Sequence, residues 1–498
     1  MSKPSFRLYN HSFALLTDFY QLSMAYGYWQ AGIDNKDAVF QLFFRKLPFK
    51  GGFAITSGLE DIVDYLENFH FDEGDLAYLA TLKDKQGNPF FCQDFLDYLK
   101  ELKFNCDVDA IPEGTVVFPF EPLLRIKGPL LQCQILESPL LNLINFSSLI
   151  ATKSARICLA ANGDPVFEFG MRRAQGIDGA LTASRAAYIG GCHATSNVMA
   201  GKVYGIPVNG THSHSWVMVF EDELDAFQTY ANYLPGNCVF LVDTYNTIVG
   251  VKKAIKVGMA LKEKGHQLMG VRLDSGDLTY LSIEARRLLD QAGFKDSRIY
   301  ASNELDETII GELKKQGAKI DVWGVGTNLV TGKDQPALDG VYKLSAIKDE
   351  PNKDWRYTLK LSEQMKKVSN PGILQVRRFK QGSEFIADAI YDIYHPPKDD
   401  FHVVDPLDPT RDKILKKDLT FEDLLVPIFR QGQRVYQLPK LDEIRNRTKN
   451  NLDQFYSGVK RFLNPHQYIV GMEKAIYEKK IKLIKHIRNH AKMAGNKE

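Results

Sequence analysis

Between residues 166 and 325 short apolar runs recur, each long enough for one strand and each closed by a polar or glycine-rich exit. This rhythm limits the fold of the 498-residue chain more than any other feature. The runs cover residues 166–169, 206–208, 239–242, 268–273, 298–301 and 321–325, followed by 341–344. Most begin roughly 30 to 40 residues apart, the length of a strand plus the crossover helix that two parallel strands require. The spacing predicts a parallel α/β barrel. In such a barrel the loops after the strands gather on one face, so side chains scattered in sequence at the exits converge in space.

The exits read Phe169-Gly-Met-Arg-Arg173, Gly210-Thr-His-Ser-His-Ser215, Asp243-Thr-Tyr-Asn246, Arg272-Leu-Asp-Ser-Gly-Asp277, Ser302-Asn303 and Gly324-Val-Gly-Thr-Asn328. Any one of them can be a turn with a helix cap, and for Asp243 and Ser302-Asn303 that reading competes evenly. In succession they describe a site for an anionic, hydroxylated ligand and a metal. Gly324, Gly326 and Thr327 offer backbone N–H groups and a hydroxyl that suit a phosphate monoester, although the full Walker pattern is missing. Arg272 with Asp274 and Asp277 combines a cation for phosphate with carboxylates for ribose hydroxyls or water-bridged magnesium, and Ser275-Gly276 supplies a tight turn. Surface charge pairing is the competing account. His212 and His214 carry the side chain whose charge changes most easily near neutral pH. An isolated histidine is more often structural, and a His-x-His metal pair is a further alternative, since alternate strand residues share a face.

The flanking sequence has a different texture. Thr17 or Asp18 can cap a first helix carrying Tyr20, Met24 and Tyr28 at four-residue spacing, which reads as a core-facing stripe, with Tyr20 early enough to reach a partner past the helix end. Strand-like residues 38–44, helical patterns over 59–70 and 94–102, and short β runs with Pro and Gly punctuation over 108–133 complete a first module. The expected domains are 1–137, an α/β sandwich-like unit; 138–347, the barrel; and 348–498, an extension packing back on the first. From Tyr477 to Lys497 the chain reads as a basic, solvated amphipathic helix.

Composition narrows the function classes. Lys plus Arg number 63 against 61 Asp plus Glu, a net charge of +2, so nothing general favours nucleic acid. The six cysteines are scattered without a zinc-like spacing, which points to a reducing, cytoplasmic setting. Near Lys3 and Arg7 the apolar patch is too short for a signal-peptide core, and no run approaches the roughly 20 apolar residues of a membrane helix.

Thr17-Asp-Phe-Tyr20, Phe169-Gly-Met-Arg-Arg-Ala-Gln-Gly176, Gly210-Thr-His-Ser-His-Ser215, Arg272-Leu-Asp-Ser-Gly-Asp277 and Trp323-Gly-Val-Gly-Thr-Asn-Leu-Val-Thr331, in that order, resemble nicotinate phosphoribosyltransferase. The resemblance implies a type II phosphoribosyltransferase fold, with an irregular α/β barrel. It implies condensation of nicotinate with 5-phosphoribosyl 1-pyrophosphate to nicotinate mononucleotide and pyrophosphate, with Mg2+ and coupled ATP hydrolysis. By the same carry-over His214 matches the histidine phosphorylated by ATP, while His212 falls in a variable slot. Tyr20 and Phe169 match the aromatic pair around the pyridine ring, Tyr20 coming from the neighbouring subunit of a homodimer. Arg172, Arg272, Asp274, Gly324, Gly326 and Thr327 match ribose and phosphate ligands, joined at the exits by Thr211, Ser275 and Asn303. The resemblance also implies that Asp243 and Asp277 belong to the magnesium or hydroxyl network, Mg2+ being held mainly through pyrophosphate and water, with Asp243 or Asp277 as the candidate protein ligand. Ser196, in Gly191-Cys-His-Ala-Thr-Ser-Asn197, stands where nicotinamide enzymes place an aspartate, and a carboxylate there would repel nicotinate. A phosphosugar lyase or isomerase and a non-catalytic nicotinate-binding regulator are the alternatives.

Overall fold

In the computed structural model, which describes residues 12–350, 352–364 and 367–495, six short strands carry the convergent exits. They are β1 (Val166–Glu168), β2 (Ala194–Thr195), β3 (Val239–Leu241), β4 (Gly270–Leu273), β5 (Arg298–Ala301) and β6 (Val322–Val325). All pair in parallel, in the order β2-β1-β6-β5-β4-β3. Apart from Arg272, Arg298 and Tyr300 the residues of these strands are buried, as parallel strands commonly are. Helices follow the exits directly, and several exit residues cap them: Asn246 accepts from the Val249 N–H, Asp277 from Tyr280, and Asp306 from Thr308 and Ile309.

Two of the expected barrel strands differ. Residues 206–208 contribute one parallel bridge, Thr195 with Val208, and no ladder, because Pro207 has no N–H to donate. The short strand at this edge is β2, which the sequence reading passed over. The run at 341–344 becomes the strand Gly340–Ile347, which pairs antiparallel with Asp37–Phe44 in another sheet.

The described residues divide into two compact units, 150–336 and 12–149 with 337–495. The break falls inside the helix Glu137–Ala161, and ahead of Gly340–Ile347, so the parallel-sheet unit is narrower than the 138–347 read from sequence. The second unit holds a seven-stranded sheet ordered Arg356–Tyr357, Gly340–Ile347, Asp37–Phe44, Leu124–Pro129, Asp107–Ala110, Val426–Arg430 and Gln433–Arg434. Val426–Arg430 beside Asp107–Ala110 brings the C-terminal extension into the first module. A six-stranded sheet, led in length by Glu384–Asp392 and Leu374–Gln381, completes it. The β texture of 108–133 ends early, since Leu130–Ile135 is helical.

In the first helix, Phe19–Gln30, the stripe divides: Tyr28 is half-buried against the core, while Met24 is 37% and Tyr20 48% exposed, and the buried residues are Gln21, Leu22 and Ala25. Asp18 sits at the cap position, but its carboxylate accepts from the Ser138 hydroxyl and not from the helix. Lys3, Arg7 and Lys497 lie outside the described residues. The basic segment is helical over Lys474–Gly495. Among the described residues one stretch, Leu130–Ala161, is long and apolar enough to cross a membrane by length and composition; 61% of its apolar window is buried within the protein, as in a core helix.

Candidate functional site

A cavity of about 320 Å³ opens at the C-terminal ends of the parallel strands. Phe169, Arg172, Ser196, Thr211, His214, Arg272, Asp274, Asn303, Gly324, Gly326 and Thr327 all line it, so most residues predicted from sequence are brought together. A larger cavity of about 430 Å³ lies in the other unit, between Arg45, Phe118 and Lys413, and contains none of them.

The centre of the site is Arg272, which leaves β4 one residue before the strand ends. Its guanidinium is held on three sides: Nε donates to Ser302 Oγ at 2.8 Å, Nη1 to Thr211 Oγ1 at 2.9 Å, and Nη2 to Asp274 Oδ1 at 3.0 Å. A planar fork fixed in this way is pre-organised for phosphate oxygens. Asp274 also accepts from the Ser302 hydroxyl, and its Oδ2 lies 3.6 Å from His214 Nε2. Burial alone would raise the Asp274 pKa; the Ser302 hydroxyl and the Arg272 charge outweigh it and hold the carboxyl below its ordinary value. His214 begins the short helix His214–Met218, and its Nδ1 faces Thr244 Oγ1 at 3.1 Å.

Asp243 supports this group from behind. Its Oδ2 accepts from the Asp274 N–H at 3.0 Å and from Ser275 Oγ at 2.6 Å, while its Oδ1 is buried without a partner. Asp277 is placed differently from the sequence expectation: it is exposed and accepts from the Tyr280 N–H at 3.0 Å as a helix cap, outside the cavity lining. Among the described residues no three His, Cys, Asp or Glu side chains cluster tightly enough to hold a metal by themselves. The buried Oδ1 of Asp243 and the Asp274 carboxylate are hard oxygen donors of the kind Mg2+ takes, with water or a ligand completing its shell.

On the opposite side Phe169 follows β1, its N–H donating to the Val325 carbonyl at 2.8 Å. Its ring packs so close to Gly324 that a Cβ there would stand 2.7 Å from Phe169 Cδ2. The Arg272 guanidinium lies 5.8 Å from the ring centroid. Arg172 and Arg173 are exposed at the cavity rim, on a short 3-10 turn, and give it positive charge. Asn303 takes a left-handed backbone conformation with φ of 103°, uncommon away from glycine. Tyr20 belongs to the other unit.

Three structural contributors went unread in the sequence. Glu168, 1% exposed, accepts from the Gly170 N–H, from Ser184 Oγ at 2.9 Å and from Thr195 Oγ1 at 2.6 Å, and so fixes the turn that carries Phe169. A lone carboxylate ending an apolar strand run was the available signal. Thr244 and Glu304 also stand in or against the site. His212 is buried and does not join His214; its ring faces Tyr230 at 5.2 Å, which removes the His-x-His metal reading.

Residues 15–145 match the family model for the nicotinate phosphoribosyltransferase N-terminal domain, residues 165–352 that for the nicotinate phosphoribosyltransferase family, and residues 374–480 that for its C-terminal domain. The chain is 43% identical over 484 residues to a nicotinate phosphoribosyltransferase of Bacillus subtilis (strain 168), covering 96% of each. A crystal structure of human nicotinic acid phosphoribosyltransferase is similar with a TM-score of 0.80 at 31% identity, over 94% of this chain and 99% of that one. At 23% identity, a nicotinate-nucleotide pyrophosphorylase from Pyrococcus furiosus shares the fold, with a TM-score of 0.67 over 89% of this chain and 96% of that one.

Proposed function

The chain belongs to the nicotinate phosphoribosyltransferase family, and from that premise we propose an ATP-coupled condensation of nicotinate with 5-phosphoribosyl 1-pyrophosphate. The products are nicotinate mononucleotide and pyrophosphate, with ADP and phosphate from the coupled cycle, in cytoplasmic NAD salvage. The observation that carries the reading is the convergence of Arg272, Asp274 and His214 on one cavity beside Phe169.

In the transfer step the lone pair of the pyridine nitrogen forms a bond to C1 of the ribose as the C1–O bond to pyrophosphate breaks, and the electron pair leaves with pyrophosphate. Positive charge develops on the sugar and negative charge on the leaving group. Arg272, locked by Thr211, Ser302 and Asp274, holds the phosphate end with no reorganisation during the reaction. Phe169 offers a flat apolar surface to the pyridine ring, and Arg172 beside the neutral Ser196 hydroxyl suits a carboxylate substituent. Asp243 and Asp274 would hold Mg2+ together with substrate oxygens, and the ion, when bound, neutralises charge on the departing pyrophosphate.

His214 receives the phosphoryl group of ATP on its ring, ADP leaves, and the phosphohistidine later yields phosphate to water. Its place against Asp274 couples that added charge to the Arg272 group. The exposed Tyr20 supports a shared site in a homodimer, where the ring comes from the neighbouring subunit. The deciding experiment follows mononucleotide and ADP in the same tubes, with nicotinate or nicotinamide, with and without ATP. Nicotinate-specific synthesis with ADP release, and uncoupled residual transfer in His214→Ala, is the expected result; full coupling in that variant would sink the role of His214.

A further inference from the structure

β3 forms one edge of the parallel sheet, pairing with β4 alone among the described strands. The segment at 206–208, next in the expected barrel, reaches the opposite edge through the single Thr195–Val208 bridge. Between them His212 takes the place of the missing ladder: the main-chain N–H of Leu241, in β3, donates to His212 Nε2 at 3.2 Å. Nε2 is therefore the acceptor and Nδ1 carries the hydrogen, which points to the Ser213 carbonyl at 3.2 Å. Both ring nitrogens are committed, and the ring is packed among Phe227, Tyr230 and Phe240 with 8% of the residue exposed.

The residues on either side of this anchor face the reaction site. Thr211 accepts from Arg272 Nη1, and His214 stands between Thr244 and Asp274. We propose that His212 is a positioning residue: its neutral ring pins the Gly210–Ser215 loop to the β3 edge and thereby sets Thr211 against Arg272 and His214 against Asp274. An apolar residue of equal bulk would fill the aromatic box and leave the buried Leu241 N–H without its acceptor. A protonated histidine would lose the same bond. The inference rests on the phosphoribosyl-transfer reading for Thr211 and on the phosphohistidine reading for His214.

The test uses the full chain with two substitutions. His212→Gln retains an oxygen acceptor at a similar reach and is expected to keep ADP released per nucleotide near the parent value. His212→Phe keeps the packing without the acceptor; it is expected to raise the KM for 5-phosphoribosyl 1-pyrophosphate about tenfold and to lower ADP per nucleotide, with kcat at saturating donor changed less than about threefold. Parent-like KM and coupling in His212→Phe would overturn the proposal. In a parent protein that transfers without releasing ADP, the phosphohistidine reading fails and the donor KM alone decides the role of His212. Should His212→Phe not fold, ring-nitrogen NMR of the unsubstituted protein decides: a fixed Nδ1–H tautomer that does not titrate between about pH 7.5 and pH 5 supports the anchor, and titration near 6.5 refutes it.

Discussion

His214 presents Nε2 to Asp274 Oδ2 at 3.6 Å, and the other oxygen of the same carboxylate accepts from Arg272 at 3.0 Å. One side chain thus links the histidine proposed to take up phosphoryl charge to the arginine proposed to hold phosphate. Asp274→Asn removes the charge at nearly constant shape. Hydrogen bonds to charged groups contribute about 1.5–3 kcal/mol, so kcat/KM for the donor should fall by about 10- to 100-fold with the fold intact. Steady-state kinetics beside an unfolding curve checks this, and a parent-like kcat/KM would remove Asp274 from the site. Because the Asp274 carboxyl is held below its ordinary range, it stays charged as pH falls from 7 to about 5, and loss of rate in that interval belongs to other groups.

Gly324 leaves no room for a side chain beside the Phe169 ring. The added methyl of Gly324→Ala would meet the ring at 2.7 Å and 2.8 Å, and the ring must turn out of its place. The expected outcome is a raised KM for nicotinate with a stability loss of about 1–3 kcal/mol from overpacking. Phe169→Ala in the same chain should relieve most of that stability loss while nicotinate binding stays weak. Strictly additive losses in the double-mutant cycle would show that the ring does not bear on Gly324.

Much of this arrangement was legible in the sequence because strand-plus-helix spacing depends on chain length, and exits such as Arg272-Leu-Asp-Ser are contiguous. The parallel strands at 239–241, 270–273, 298–301 and 322–325 follow directly from it. What was illegible depends on long-range pairing. Nothing local says that 340–347 pairs with 37–44 and not with the parallel sheet, since both choices bury the same apolar residues. Met24 illustrates the other limit: four-residue spacing identifies a helix face but not what covers it, and Met24 is exposed while Tyr28, on the same face, packs against the core. The role of Asp277 was lost for a related reason, because an aspartate before a helix serves as cap or as ligand with the same sequence.

Asp277→Ala separates those two uses. Loss of the bond to the Tyr280 N–H should cost about 1 kcal/mol of stability, measured by urea unfolding, with kcat/KM and its Mg2+ dependence within about twofold of the parent. A shifted Mg2+ requirement without loss of stability would return Asp277 to the metal network.

His212 gives the chain a pH signature whose sign is fixed by its surroundings. Burial pushes its pKa down to about 4; the Ser213 carbonyl opposes this, and the nearby Arg272 and His214 add to the depression. The unfolded chain takes up a proton on this ring below about pH 6.5, while the folded chain resists until about pH 4. Between those values the unfolded state binds more protons, so stability rises with pH there. The contribution is fully present above about 6.5 and is lost as pH falls toward 4, a span worth on the order of 3 kcal/mol. His212→Gln has no such proton. Unfolding free energies of the two proteins at pH 7.5, 5.5 and 4.5 should therefore converge as pH falls, the parent losing its advantage while the variant is affected only by the groups both share. A constant difference across that range would mean that the ring titrates alike in both states, and the bond from Leu241 would not be holding it neutral.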